Sequence, residues 1–146
     1  MKARDVMTEF AQIVTPADPM SHAAALMRDS DIGFLPVVDD RTSKRLVGVL
    51  TDRDITIRHT AMSHDDNCRI EQHMTVEDLA TVKPDTAMSE VHDVMKRRRL
   101  RRVVVTDAEG CVIGVIAQAD VALKEEQDSE TGELVAVISR PDPLKA

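Results

Sequence analysis

Two short stretches of the chain carry the same chemistry-bearing pattern. Gly48-Val49-Leu50-Thr51-Asp52-Arg53-Asp54 returns 66 residues later as Gly114-Val115-Ile116-Ala117-Gln118-Ala119-Asp120. In each, apolar residues lead through a polar turn into the start of a helix that carries an acid. Two copies of one strand-to-helix corner suggest two copies of a site, and the copies differ where Thr51 is replaced by Ala117. A second group is basic: Lys96-Arg97-Arg98-Arg99-Leu100-Arg101-Arg102 holds six cations in seven residues. A third group is His59, His64, Cys68 and His73, spaced four to five residues apart. Imidazole and thiolate are the usual ligands of zinc. The spacing is not that of a standard finger, however, and an Asp- and Asn-rich connector is the preferred reading, so no metal is expected.

Several other chemistries are excluded. The chain has no Walker motif and no Gly-x-Gly-x-x-Gly, so a Gly-rich phosphate loop is not its device. No nucleophile, base and orienting group can be assembled into a catalytic set. Ser21 and Ser89 read as helix-start residues, and an enzyme is not expected. The formal net charge of −7 argues against general attraction to nucleic acid or to an anionic membrane. With two Phe, no Tyr and no Trp, there is no stacking platform for single-stranded nucleic acid either. The core must be built of Val, Ile, Leu, Met and Ala, and eight Met make it adaptable. No secretory signal and no run of apolar residues long enough for a membrane span is visible. Two cysteines, Cys68 and Cys111, do not make a disulfide framework, although one bridge between them stays open. A reducing cytoplasm is the expected setting.

The elements that position these residues come from an internal repeat. Met7-Thr8 matches Met74-Thr75 at an offset of 67, and Val14, Pro16, Met20, Ser21, Met27, Val37 and Asp39 match Val82, Pro84, Met88, Ser89, Met95, Val105 and Asp107 at 68. The offset falls to 66 after the turn, because Asp40 to Arg45 is longer than Ala108 to Cys111. Each repeat reads as β-α-β-β-α. In the first, Ala11 to Thr15 is a short strand, and Asp18 caps a helix with Pro19 in its first turn. Leu35 to Asp39 and Leu46 to Leu50 form a hairpin, and Thr51-Asp52 caps the closing helix. In the second, Thr81 to Lys83 is the strand and Thr86 caps the helix carrying Met88, Val91 and Met95. Arg102 to Thr106 with Val112 to Ala117 forms the hairpin, and Ala119 to Glu126 closes the repeat. The fold class is α+β, with two tandem units packed sheet to sheet about a pseudo-twofold axis, since neither unit can bury its sheet face alone. The divisions are a first unit over 1–62, a connector over 63–73, a second unit over 74–127, and a C-terminal helix and tail over 128–146. The C-terminal helix is read from Leu134, Val137 and Ile138, although Leu134 to Ile138 also fits a strand.

These residues carry a resemblance. Asp5-Val6-Met7-Thr8 and Gln72-His73-Met74-Thr75 open the repeats. Ile32 to Asp39, Leu100 to Asp107 and the two Gly-to-Asp corners follow them. Together they resemble a tandem pair of cystathionine-β-synthase (CBS) domains, a Bateman module, over residues 5–125. The short length is similar to stand-alone bacterial CBS pairs, including those of hypoxic-response type.

The resemblance implies a non-catalytic regulatory module that binds an adenosine nucleotide (AMP, ADP or ATP) between its units and signals by a conformational change. In this family the pattern Gly-x-x-Thr/Ser-x-x-Asp holds the ribose. A carboxylate suits that role, because it accepts two hydrogen bonds from a vicinal diol. The implied ribose residues are Thr51 and Asp54 at the first corner. Asp120 stands alone at the second, where Ala117 departs from the pattern. Phosphate falls to Arg101 and Arg102, whose guanidinium groups bind it bidentately. Lys96 to Arg98 read instead as a solvated helix end. The adenine of the Asp54-held ligand would lie along Ala80, Thr81, Val82 and Pro84. That of the Asp120-held ligand would face Ile13, Val14, Thr15, Gly33 and Phe34, with no matching arginine, so the second site ranks lower. A homodimer through the CBS helices and an unidentified effector protein are the implied partners. The alternative is a ligand-independent dimerisation or docking scaffold.

Overall fold

A computed structural model describes residues 1–65 and 67–124. The expected C-terminal helix lies outside these residues. Two compact units are seen. Among the described residues, the first-repeat unit comprises 12–79 with 109–112, and the second-repeat unit comprises 1–11, 80–108 and 113–124.

In the first-repeat unit, helix α2 (Met20–Ser30) precedes the antiparallel strands β2 (Phe34–Val38) and β3 (Leu46–Thr51). A short helix, α3 (Asp52–Asp54), runs straight into a π-helical turn, Ile55–Thr60, and a 3-10 turn follows at Ile70–Gln72. Two isolated bridges extend the hairpin: Val14 lies parallel to Val37 and Thr75 lies antiparallel to Val49. The expected strand over Ala11 to Thr15 is thus reduced to one paired residue, because Pro16 cannot continue a ladder. Val14, Met20, Ala23, Met27, Leu35, Val37, Leu50, Cys68 and Ile70 form the core.

The second-repeat unit has the same layout, with hairpin strands of equal length and two-residue edge strands in place of the isolated bridges. It starts with α1 (Ala3–Val6) and β1 (Thr8–Glu9), then continues from β4 (Thr81–Val82) to α4 (Met88–Arg98), β5 (Arg102–Thr106), β6 (Val112–Ala117) and α5 (Gln118–Lys124). Its sheet has the order β1-β6-β5-β4, with β4 parallel to β5 and β1 antiparallel to β6. The order Thr75-β3-β2-Val14 in the other unit matches it position for position. Ala3, Val6, Val82, Met88, Val91, Val103, Val105 and Ile116 form a separate core. Neither core contains an aromatic residue, and Phe10 is 88% exposed. The apolar face expected for α4 is confirmed at Met88 and Val91, which are buried, and α2 buries Ala23 and Met27 in the same way.

The starts of these two helices differ from expectation. Pro19 and Ala87 occupy the cap positions, and neither offers a side-chain cap. Asp18 and Thr86 instead reach back three residues. The Thr15 N–H donates to Asp18 Oδ2 at 2.9 Å, and the Lys83 N–H donates to Thr86 Oγ1 at 3.0 Å. They hold the turn before the helix rather than its first N–H groups, a competition that short polar side chains often win for local backbone. Arg41 also donates to Asp18 Oδ2, at 2.6 Å. Burial would raise the Asp18 pKa, but these donors outweigh it and hold the carboxyl below its ordinary value.

The glycines of the repeated corner have a packing role. A Cβ on Gly48 would lie 2.9 Å from the Thr75 carbonyl oxygen and 3.1 Å from Met74 Sδ. One on Gly114 would lie 2.7 Å from Met7 Sδ and 3.0 Å from the Thr8 carbonyl oxygen. Each Met-Thr lead-in therefore sits directly on the glycine of its unit, and Val49 and Thr75 exchange two backbone hydrogen bonds of 2.9 Å beside it. Residues 1–11 cover the glycine of the second repeat, and Met74-Thr75 cover that of the first. Gly48→Ala pushes against backbone rather than a yielding side chain. It should lower the unfolding free energy by about 1–3 kcal/mol, the usual cost of overpacking, measured by urea denaturation against wild type.

Candidate functional site

The first corner is built by reciprocal hydrogen bonds. Thr51 ends β3 in extended backbone and serves as the helix cap. Its Oγ1 accepts from the Asp54 N–H at 3.1 Å, and its own N–H donates to Asp54 Oδ2 at 3.0 Å. This capping box satisfies two N–H groups that a helix start leaves unpaired. The Thr51 hydroxyl hydrogen is not used by the box, so it is available to an outside acceptor. Asp54 Oδ1 lies 3.8 Å from Arg58 Nε, with the Asp54 side chain only 14% exposed. One oxygen of the acid thus braces the corner, while the other faces Arg58.

The second corner keeps half of this arrangement. The Ala117 N–H donates to Asp120 Oδ2 at 2.9 Å. Ala117 has no hydroxyl to return the bond. Bracing of a strand end by an acid three residues on is therefore a structural reason for the acid to recur in both repeats, beside any ligand role.

Thr51, Asp54, Ile13, Val14, Thr15, Gly33 and Phe34 lie in the first-repeat unit, whereas Asp120, Ala80, Thr81, Val82, Pro84, Arg101 and Arg102 lie in the second-repeat unit. Gly33 is covered by the Asp52 carboxylate. A Cβ there would fall 2.7 Å from Asp52 Oδ2, and the Asp52 N–H donates to the Gly33 carbonyl at 3.0 Å. Val14 and Val82 are buried in their sheets, while Thr81 is exposed. Arg101 is exposed, and its carbonyl accepts from the Gln118 N–H at 2.8 Å. Its side chain helps line a cavity of about 410 Å³ between α4 and α5, with Lys96 and Arg99. Half-buried Arg102 opens β5. Lys96, Arg97 and Arg98 form the last turn of α4, where cations complement the helix dipole, and Arg99 takes the left-handed conformation that ends it.

The connector residues also gather. His64, Cys68 and His73 offer ligand atoms that all lie within 4.8 Å of one another. His59, at the π-helical turn, is beside them, its ring centroid 5.5 Å from that of His73. Burial, with the neighbouring His64, His59 and Arg58, holds His73 below the ordinary imidazole pKa. Cys68 and Cys111 are free thiols, so the open disulfide pairing is not made.

Comparison with known proteins identifies the family. The CBS-domain model matches residues 3–58 and again 70–125. The chain belongs to the CBS-domain family. It is 34% identical over 120 residues to hypoxic response protein 1 of Mycobacterium tuberculosis, covering 82% of each chain. Among solved structures it is similar to Hypoxic Response Protein I with two coordinated zinc ions, at 32% identity and a TM-score of 0.73, over 84% of this chain and 97% of that one. It is similar also to CBSX2 in complex with AMP, at 26% identity and a TM-score of 0.70, over 86% and 98%. The expected family and α+β class are thus confirmed, and a CBS pair is a regulatory module. Among the described residues no helix is long and apolar enough to cross a membrane.

The two corners predict opposite effects of one hydroxyl. Thr51→Ala removes the cap acceptor and should cost about 1 kcal/mol. Ala117→Thr supplies the missing acceptor for the Asp120 N–H and should stabilise by a similar amount, about 0.5–1 kcal/mol. Thermal denaturation of both variants beside wild type reads the two signs directly.

Proposed function

We propose that this CBS pair is an adenosine-nucleotide sensor and that its principal site is the Thr51–Asp54 corner. The carrying observation is the state of that corner. Its acid and hydroxyl are already fixed by the capping box, so little side-chain freedom is lost when a ribose docks. The hydroxyl hydrogen and the Asp54 carboxylate then meet the sugar hydroxyls, and Arg101 and Arg102 answer the phosphates, as the family pattern pairs them. Ala80, Thr81, Val82 and Pro84 are the backbone set for its adenine. A second, weaker site is proposed at Asp120, with Ile13, Val14, Thr15, Gly33 and Phe34 for its base. The AMP bound by CBSX2 supports the ligand class. The module signals by differential affinity: a nucleotide shifts its conformational equilibrium only as far as it prefers one state.

Asp54→Asn tests this without dismantling the corner, because the amide oxygen can still accept from the Thr51 N–H. Equilibrium dialysis with AMP, ADP and ATP should show at least one of them bound by wild type. Asp54→Asn should weaken it about tenfold, the equivalent of about 1.4 kcal/mol, and Asp120→Asn should weaken it less. No binding by any of the three nucleotides, or equal losses at the two acids, contradicts the reading.

We infer also that the chain forms a homodimer through its helices. In the first-repeat unit a cavity of about 390 Å³ lies between α2 and the π-helical turn, lined by Met20, Ala24, Ala25 and Ile55 among others. The cavity between α4 and α5 includes Met95, Leu100 and Val121. Two such apolar-lined grooves suit helix-to-helix association. Light scattering coupled to size exclusion should give twice the mass of the chain, and a monomer at all concentrations removes this part of the account.

A further inference from the structure

The nucleotide reading makes no use of the histidine–cysteine cluster, whose chemistry is distinct. His59, Cys68 and His73 are 9%, 8% and 6% exposed, which is unusual for imidazoles without polar partners. His73 Nε2 is buried and makes no hydrogen bond. His59 Nε2 lies 2.9 Å from the Asp65 carbonyl oxygen, which can only accept, so the proton sits on Nε2. His59 Nδ1 too is buried without a partner. Two orphaned imidazole nitrogens beside a thiol are costly to desolvate unless something satisfies them.

A cation ligated by His73 would satisfy one of them. His64 Nδ1 lies 3.3 Å from Cys68 Sγ. Tetrahedral zinc, with sulfur at about 2.3 Å and nitrogen at about 2.0 Å, sets those two atoms about 3.5 Å apart. The three ligand atoms of His64, Cys68 and His73 fall within 4.8 Å of one another, so a contraction of about 1.5 Å or less at the widest pair completes the geometry. The rings are placed for it: those of His64 and His73 meet edge to face with centroids 4.7 Å apart. Exposed His64 leaves the cluster open on one side, which gives an ion a way in.

The backbone holds the ligands independently of any ion. The Met20 N–H, at the start of α2, donates to the Cys68 carbonyl at 2.8 Å. The His64 N–H donates to the His59 carbonyl at 3.1 Å, continuing the wide spacing of the π-helical turn. Such turns recur at functional sites. Arg58 Nη1 donates to the His73 carbonyl at 3.3 Å. The residues are thus separate in sequence but fixed by three different elements.

From this geometry we infer that His64, Cys68 and His73 form a zinc(II) site in the first-repeat unit, with three protein ligands and a fourth position open to water beside His59. Mixed imidazole and thiolate donors favour zinc over magnesium or calcium. Binding deprotonates Cys68 and leaves the imidazoles neutral, so protons are released as the ion enters. The site needs no nucleotide.

Cobalt(II) is the direct probe, because a thiolate ligand gives it a near-ultraviolet charge-transfer band and tetrahedral coordination gives visible bands. The full chain, reduced and stripped with chelator, should develop both with one equivalent of Co²⁺ and lose them to one equivalent of Zn²⁺. Cys68→Ser should abolish the charge-transfer band, while Cys111→Ser keeps it. His64→Ala changes an exposed residue, so the fold is not at risk. It should weaken Zn²⁺ at least as much as the loss of an outer-shell partner, about 10-fold or more. Zn²⁺ should raise the melting temperature of wild type and not of Cys68→Ser. A folded wild type with no cobalt bands, or bands that survive in Cys68→Ser, overturns the assignment, whether or not nucleotides bind.

Discussion

Each unit depends on the close approach of a Met-Thr lead-in to a glycine in its final strand. With hydrogen at that position, the lead-in backbone lies against the strand and adds to its edge. With a Cβ, the carbonyls of Thr75 or Thr8 would be met at about 3 Å. Such edges matter to a small sheet. A two-stranded hairpin is marginal alone, and the first-repeat hairpin gains its outer pairings only at Thr75 and Val14. The lead-in that covers each glycine is the one the sequence repeat attaches to the other half of the chain. A change at residues 1–11 is therefore felt by the second repeat, and a change at the connector by the first.

This arrangement frees the corner that follows. Because the glycine is committed to packing, the proposed ligand chemistry is assigned to the residues three and six positions later. There the same acid can brace the strand end and still offer acceptor sites to a ligand, since a carboxylate has more of them than the capping box uses. Repetition conserves the brace at Asp54 and Asp120, and only Thr51 adds the hydroxyl. Arg58 then links two otherwise separate features, lying 3.8 Å from Asp54 and donating to the His73 carbonyl. The proposed nucleotide corner and the proposed metal cluster share that one side chain.

Much of this was legible in the sequence, because repetition amplifies weak signals. The hairpins, the Met88–Val91 helix face and the family follow from patterns that occur twice, and the Thr51 cap follows from a hydroxyl placed just before a helix start. The reasons for particular residues were less visible. Gly48 and Gly114 stand out by spacing, but that a sulfur and a carbonyl press on them depends on long-range packing. Asp18 and Thr86 have the composition of caps, yet they hold the preceding turn, because local backbone competes for the same oxygen. His59, His64, Cys68 and His73 lack finger spacing. Their convergence depends on a π-helical turn and on the Cys68 carbonyl docking against α2, neither of which has a periodic signature.

The central claim is that two similar corners are unequal and that Thr51–Asp54 is the ligand-bearing one. A nuclear magnetic resonance titration of the isotope-labelled chain with AMP and ATP tests it residue by residue. The account predicts that the Thr51 and Asp54 amides shift first and saturate at the lower nucleotide concentration, with Ala117 and Asp120 following only at higher concentration. Shifts that begin at Ala117 and Asp120, or that leave Thr51 and Asp54 unmoved at saturation, would contradict it.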